Sequence, residues 1–272
     1  MSYPEIVSQK IIDSIGIVSI DDLLLLNEIA FVRGALVVRE KLFGSEAQLL
    51  ISRPQSLITI STSITNENRY RFDIAHEIGH LEMHRHKCNL FDCSRDDLDS
   101  GSSNNKVTPT LENEANEFAS FLLMPSQFVV SFCKDKDISV VAVRDIADRF
   151  QVSLTASALR FISISKEPLA VALSTNGFIH WFEGNNDFRE LGLFIDVNGK
   201  LSNETIAYRA FQGLTLPIKA TQVPIRAWMR PGTYSQRATL SEQSIAIPSF
   251  NSVLSLIWIN EIIDDDFSLD QY

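Results

Sequence analysis

Four of the chain's five histidines fall between His76 and His86, in the stretch RFDIAHEIGHLEMHRH at 71–86. Within it, His76-Glu77-Ile78-Gly79-His80 fits H-E-x-x-H, a pattern in which two imidazoles and a carboxylate serve one metal ion. Residues four apart on an α-helix lie nearly one above the other, so both rings emerge from one face. Two neutral nitrogens so placed can close on a single Zn²⁺ at about 2.0–2.1 Å. Glu77, one step round from His76, can hold a water at that ion without ligating it. Phe72, Ile74, Ala75, Ile78 and Leu81 give the helix an apolar side, so it is expected to sit in a core. Gly79 costs about 1 kcal/mol in a helix interior, which points to close approach by a neighbour.

A third ligand must come from elsewhere in the chain. His86 lies ten residues after His76, but the pattern that would use it needs a glycine where Met83 stands. In a continuing helix His86 points about 240° away from His80. His84 keeps to the right face but sits about 6 Å further along the axis, so both suit a supporting or cleft-lining place better than ligation. A second helix, TLENEANEFASFLLMP at 110–125, offers a carboxylate: Leu111, Ala115, Phe118, Ala119 and Leu122 recur at spacings of three and four, and Pro125 stops it. Glu112 and Asn116 share one face there, so the carboxylate can take the metal while the amide orients a histidine through its second ring nitrogen. Glu114 is the rival ligand and has no such partner at that spacing.

The segments RYRFDIAHEIGHLEMH and ENEANEFASFLLMP together resemble the signature pair of the ImmA/IrrE family of metallopeptidases, over about 70–125. The resemblance implies that His76, His80 and Glu112 bind zinc and that Glu77 is the catalytic glutamate. It further implies a cytoplasmic protease that cleaves a helix-turn-helix repressor and relieves repression. The expected fold is α+β: a zincin-like peptidase domain with a small antiparallel sheet at 1–134, a helix-turn-helix-like helical segment at 135–166, and a C-terminal, sensor-like α+β domain at 167–272. Two other readings stay open: a non-catalytic zinc-fold regulator that binds a repressor, and a DNA-binding regulator using residues 140–164.

Composition narrows these. A chain of 272 residues can bury a sizeable core and is expected to hold more than one domain. No apolar run approaches the ~20 residues of a membrane span, so no membrane partner is expected. The opening MSYPEIVSQKIIDSIG lacks the basic-then-apolar layout of an export signal, and three cysteines are too few for a disulfide frame; both suit the cytoplasm. A net charge of −10 argues against direct DNA binding, which needs clustered Lys and Arg, and suits attraction to a basic protein partner.

In chain order, residues 3–15 read as an amphipathic helix, and a second opens at Ser19-Ile20-Asp21-Asp22 and runs to Gly34, with Ser19 as N-cap. Strand-like runs follow at 35–39, 48–51 and 57–61, the last a candidate edge on which an extended substrate could add as a strand. The polar stretch 87–107, with SRDDLDSGSSNNK at its centre, reads as a surface loop, and His84 and His86 just before it with its Cys88 and Cys93 match no trusted metal pattern. Helical stretches at 127–133, 140–150 and 154–164 follow, the last two spaced like a helix-turn-helix. A recognition helix should present several Arg, Lys, Asn or Gln, yet 154–164 offers Arg160 and little more. Beyond 167, strands are expected at 169–173, 178–182, 192–195 and 255–259, with Trp181, Trp228 and Trp258 in the core and an acidic tail at Glu261 and 264–266.

Overall fold

The computed structural model of the chain describes residues 1–87, 90–93, 109–229 and 239–259. Most of the polar loop expected at 87–107 and the acidic tail lie outside the described residues, as does Cys88. The chain divides into two compact units, Met1–Asp135 with Asp145–Ala156, and Lys136–Arg144 with Ser157–Tyr272.

The first unit opens with α1 (Tyr3–Ile15), capped by Ser2, whose hydroxyl accepts from the Glu5 amide, and closed by Gly16. The expected second helix is two: α2 (Ile20–Leu23) and α3 (Leu26–Val32). Ser19 is indeed the N-cap of α2, in a capping box with Asp22. The break after Leu23 has a tertiary cause. Buried Arg71 donates to the carbonyls of Leu23 and Leu24 at 3.1 and 2.9 Å, taking acceptors that a continuing helix would use. Gly34, at φ +86°, then turns the chain into the sheet.

That sheet comprises β1 (Ala35–Glu40), β2 (Ala47–Leu50), β3 (Ser56–Ser61) and β4 (Leu90–Cys93), in the order β1-β3-β2-β4. The α+β class stands, but the sheet is mixed rather than wholly antiparallel: β1 runs parallel to β3, pairing Ala35 with Ser56 through Glu40 with Ser61. The β2–β3 hairpin returns between β2 and β1, so β3 is an internal strand and not the edge expected at 57–61. Among the described residues the outermost strands are β1 and β4. β4 falls in the stretch read from sequence as loop, and pairs antiparallel with β2.

After the hairpin comes α4 (Glu67–Met83), started by Asn66, whose side-chain oxygen accepts from the Arg69 amide. It is buried almost continuously from Arg71 to Leu81, packed on β2 and β3 on one side and on α5 (Pro109–Leu123) on the other. Ile58, Ile60, Leu49, Ile74, Ile78, Phe91, Phe118 and Leu122 fill the space between, each at most 1% exposed. α1 packs on α5, and α6 (Ser126–Cys133) follows Pro125.

α7 (Val140–Phe150) and α8 (Leu154–Ile164) occupy the helix-turn-helix-like segment and are divided between the two units. Gln151, at φ +51°, makes the turn between them, and the Ser153 hydroxyl caps α8 by accepting from the Ala156 amide. Arg160, the one basic residue of α8, is 7% exposed.

The second unit is an antiparallel sheet in the order β6-β5-β9-β8-β7, from β5 (Leu169–Thr175), β6 (Phe178–Gly184), β7 (Thr221–Pro224), β8 (Thr239–Ile247) and β9 (Ser252–Trp258). Short helices α9 (Asn186–Glu190) and α10 (Ile206–Phe211) accompany it. Among the described residues no strand forms at the expected 192–195, where a bridge joins Ile195 to Met229. The expectation omitted β7 and β8, the latter because its buried centre, Ser241-Glu242-Gln243-Ser244, is polar. Trp228 lies in the core, whereas Trp181 and Trp258 are half-buried. No helix of the described residues is long and apolar enough to cross a membrane.

Candidate metal centre

At Gly79 α4 lies close against α5. A Cβ there would stand 2.9 Å from Phe118 Cδ1 and 3.3 Å from the Ala115 Cα, so the bare backbone admits the neighbouring helix. This contact sets Glu112 and Asn116 of α5 opposite the face of α4 that bears His76 and His80.

Three side chains meet there. His76 Nε2 lies 3.1 Å from Glu112 Oε2, His80 Nε2 lies 3.4 Å from Glu112 Oε1, and the two Nε2 atoms are 3.0 Å apart. A tetrahedral ion with bonds of about 2.0–2.1 Å holds its donors roughly 3.3 Å apart, so this spacing could hold one small cation. The donor set, two imidazole nitrogens and one carboxylate, suits a borderline metal such as zinc. Both histidines are fully buried and Glu112 is 4% exposed. Burial lowers His80 to about 4, against an opposing pull from Glu112. Burial pushes Glu112 up, but the adjoining His76 and His80 rings outweigh it and hold the carboxyl below its usual range. Near neutral pH, His80 is therefore neutral and Glu112 ionised, the states a cation requires.

Around this centre the other expected residues take definite places. The Asn116 side-chain oxygen accepts from His76 Nδ1 at 2.9 Å, leaving the Nε2 lone pair for the centre. Glu77 is fully buried in the same turn as His76. Glu114 stands outside the cluster and bonds His84 instead: its Oε2 is 2.9 Å from His84 Nε2. His84, 1% exposed, reaches His80 as well, with 2.9 Å between the two Nδ1 atoms. Burial lowers His84, partly offset by Glu114. His86 is exposed beyond the end of α4. Beside the motif, Arg71 is engaged with the carbonyls of Leu23 and Leu24, and the Tyr70 hydroxyl lies 3.5 Å from Asn27 Oδ1.

Two contacts were not anticipated from sequence. Phe91 of β4 stacks on the His80 ring, centroids 4.4 Å apart, and Glu114 is the partner of His84. For the second a signal existed: His84 repeats the four-residue step from His76 to His80, so one more ring on that face needed a polar neighbour. For Phe91 there was none, since its strand is short and framed by polar residues.

Residues 33–161 match the profile of the M78 peptidase family, described as the IrrE N-terminal-like domain. No curated protein matches the chain. Solved structures that do include a Mycobacterium tuberculosis transcriptional regulator, with a TM-score of 0.54 at 12% identity, covering 96% of this chain and 89% of that one. At that identity the likeness is one of fold. The matched span contains both the H-E-x-x-H helix and the helix bearing Glu112, so residues 33–161 are an IrrE N-terminal-like domain of the M78 peptidase type.

Proposed function

We propose that this chain is a zinc-dependent metallopeptidase that cleaves a helix-turn-helix transcriptional repressor at one site, relieving repression. The observation that carries the reading is the convergence of His76 Nε2, His80 Nε2 and the Glu112 carboxylate within 4.8 Å, in the helix turn that also bears buried Glu77. In this reading His76, His80 and Glu112 hold the ion, and Asn116 keeps His76 in the tautomer that presents Nε2. When bound, the ion supplies Lewis acidity toward the scissile carbonyl and the attacking water. Glu77 takes the proton of that water and later passes it to the leaving nitrogen.

The IrrE N-terminal-like domain supports a protein substrate, and a net charge of −10 suits a basic, DNA-binding partner. The M. tuberculosis protein of similar fold is described as a transcriptional regulator, which favours the same setting in the cytoplasm. Burial of Arg160 counts against α8 as a reader of DNA and favours a supporting or partner-binding role for 135–166, with 167–272 as the regulatory part.

The test is incubation of the purified, zinc-loaded chain with a repressor encoded beside it. One pair of fragments is expected. Glu77→Gln should retain stoichiometric zinc and lose cleavage by at least ~10²-fold, and His80→Ala should lose both. Cleavage by Glu77→Gln at the parent rate would remove Glu77 as the base. A stable complex without cleavage by zinc-loaded parent protein would favour the non-catalytic regulator.

A further inference from the structure

Each imidazole that turns Nε2 to the centre has Nδ1 left over, and what meets Nδ1 decides which nitrogen keeps a lone pair. For His76 the partner is Asn116. For His80 it is His84, whose other nitrogen meets Glu114. Two ring nitrogens 2.9 Å apart share one proton, so the order of donors must be fixed from one end. A carboxylate only accepts. With Glu114 Oε2 accepting, His84 Nε2 carries the proton, His84 Nδ1 is left as acceptor, and His80 Nδ1–H donates to it. The His80 lone pair then falls on Nε2, the atom 3.4 Å from Glu112 Oε1 and 3.0 Å from His76 Nε2. Phe91 stacks on the same ring at an interplanar angle of 27° and limits its rotation.

We propose that His84 and Glu114 are a positioning pair that fixes the tautomer and orientation of His80. α5 thereby supplies one group to the centre, Glu112, and the outer support of both histidines, Asn116 directly and Glu114 through His84. The inference rests on the reading of His76, His80 and Glu112 as cation ligands.

Two measurements on the full chain test it. In cation-free protein with ¹⁵N-labelled histidine, long-range ¹H–¹⁵N spectra should find the proton on Nδ1 of His80 and on Nε2 of His84. Titration with Zn²⁺, and with Co²⁺ for its visible spectrum, should find affinity reduced about 10–100-fold in His84→Phe and Glu114→Ala, with an altered Co²⁺ spectrum. His84→Asn should recover most of the affinity, because its Oδ1 can take the place of Nδ1 as acceptor. Glu114 is 30% exposed, so its variant should fold as the parent does. A merely structural role would lower the melting temperature and leave the Co²⁺ spectrum unchanged. Parent-like affinity and spectrum in both variants, or a proton on Nε2 of His80, overturns the pairing alone. Failure of the parent chain itself to take up either ion overturns the ligand assignment and the pairing with it.

Discussion

Burial fixes the protonation of His80 before any ion arrives. Its pKa falls from 6.5 to about 4 because the folded chain removes water from the ring. The unfolded chain therefore takes up a proton as pH drops below about 6.5, while the folded chain does not until about 4. The contribution is complete above the upper value and is lost as pH falls through the window, amounting to roughly 3 kcal/mol at about 1.4 kcal/mol per unit. Glu112, held below its usual range, acts in the same direction at lower pH. Urea denaturation of cation-free protein should give a lower midpoint near pH 5 than near pH 7, and equal midpoints would contradict this account of His80. At this scale the sequence was informative: the His76–His80 spacing and the Glu112–Asn116 spacing both anticipated residues that meet. It said less of Glu114, whose partner is read only once α5 lies against α4.

Gly79 shows how a single position governs two elements. An added methyl group would gain about 1 kcal/mol of helix propensity but meet Phe118 at 2.9 Å, and Phe118 is fully buried with little room to move. Overpacking costs typically about 1–3 kcal/mol, so Gly79→Ala should destabilise the protein by up to roughly 2 kcal/mol. The accompanying displacement of α5 should also weaken zinc binding, because Glu112 moves with it. A urea midpoint and a zinc affinity at or above the parent's would refute this. Helices with strong local signals were legible: Ser19 as a cap, Pro125 as a stop, the apolar spacing of α5. Elements shaped by distant partners were not. The α2–α3 break depends on Arg71, 47 positions beyond Leu24, and β4 exists because β2 offers it a ladder.

For the molecule as a whole, the second unit depends on a buried carboxyl group rather than on apolar contact alone. Glu242 of β8, with no exposed surface, accepts from the Ile206 amide and Trp228 Nε1 on one oxygen and from the Ala207 amide and Ser244 hydroxyl on the other. Burial pushes its carboxyl up, with these four bonds opposing. Glu242→Gln would set an NH₂ group against a backbone N–H whichever way the amide turned, leaving a buried donor unmatched at about 1–3 kcal/mol. The thermal transition should fall while zinc affinity stays at the parent value, and an unchanged transition would count against this role. Nothing local in Ser241-Glu242-Gln243-Ser244 announces a buried strand, because the groups that satisfy it lie far off in sequence. By itself the sequence determined the chemistry-bearing face of α4, the pairing of that helix with α5, and the α+β class, since periodicity and spacing are local properties. Only the tertiary structure decided the order of the strands, the burial of Arg160, the His80–His84–Glu114 chain and the seat of Glu242. Each of these depends on groups brought together by folding, and a polar group's partner is not encoded in its neighbours along the chain.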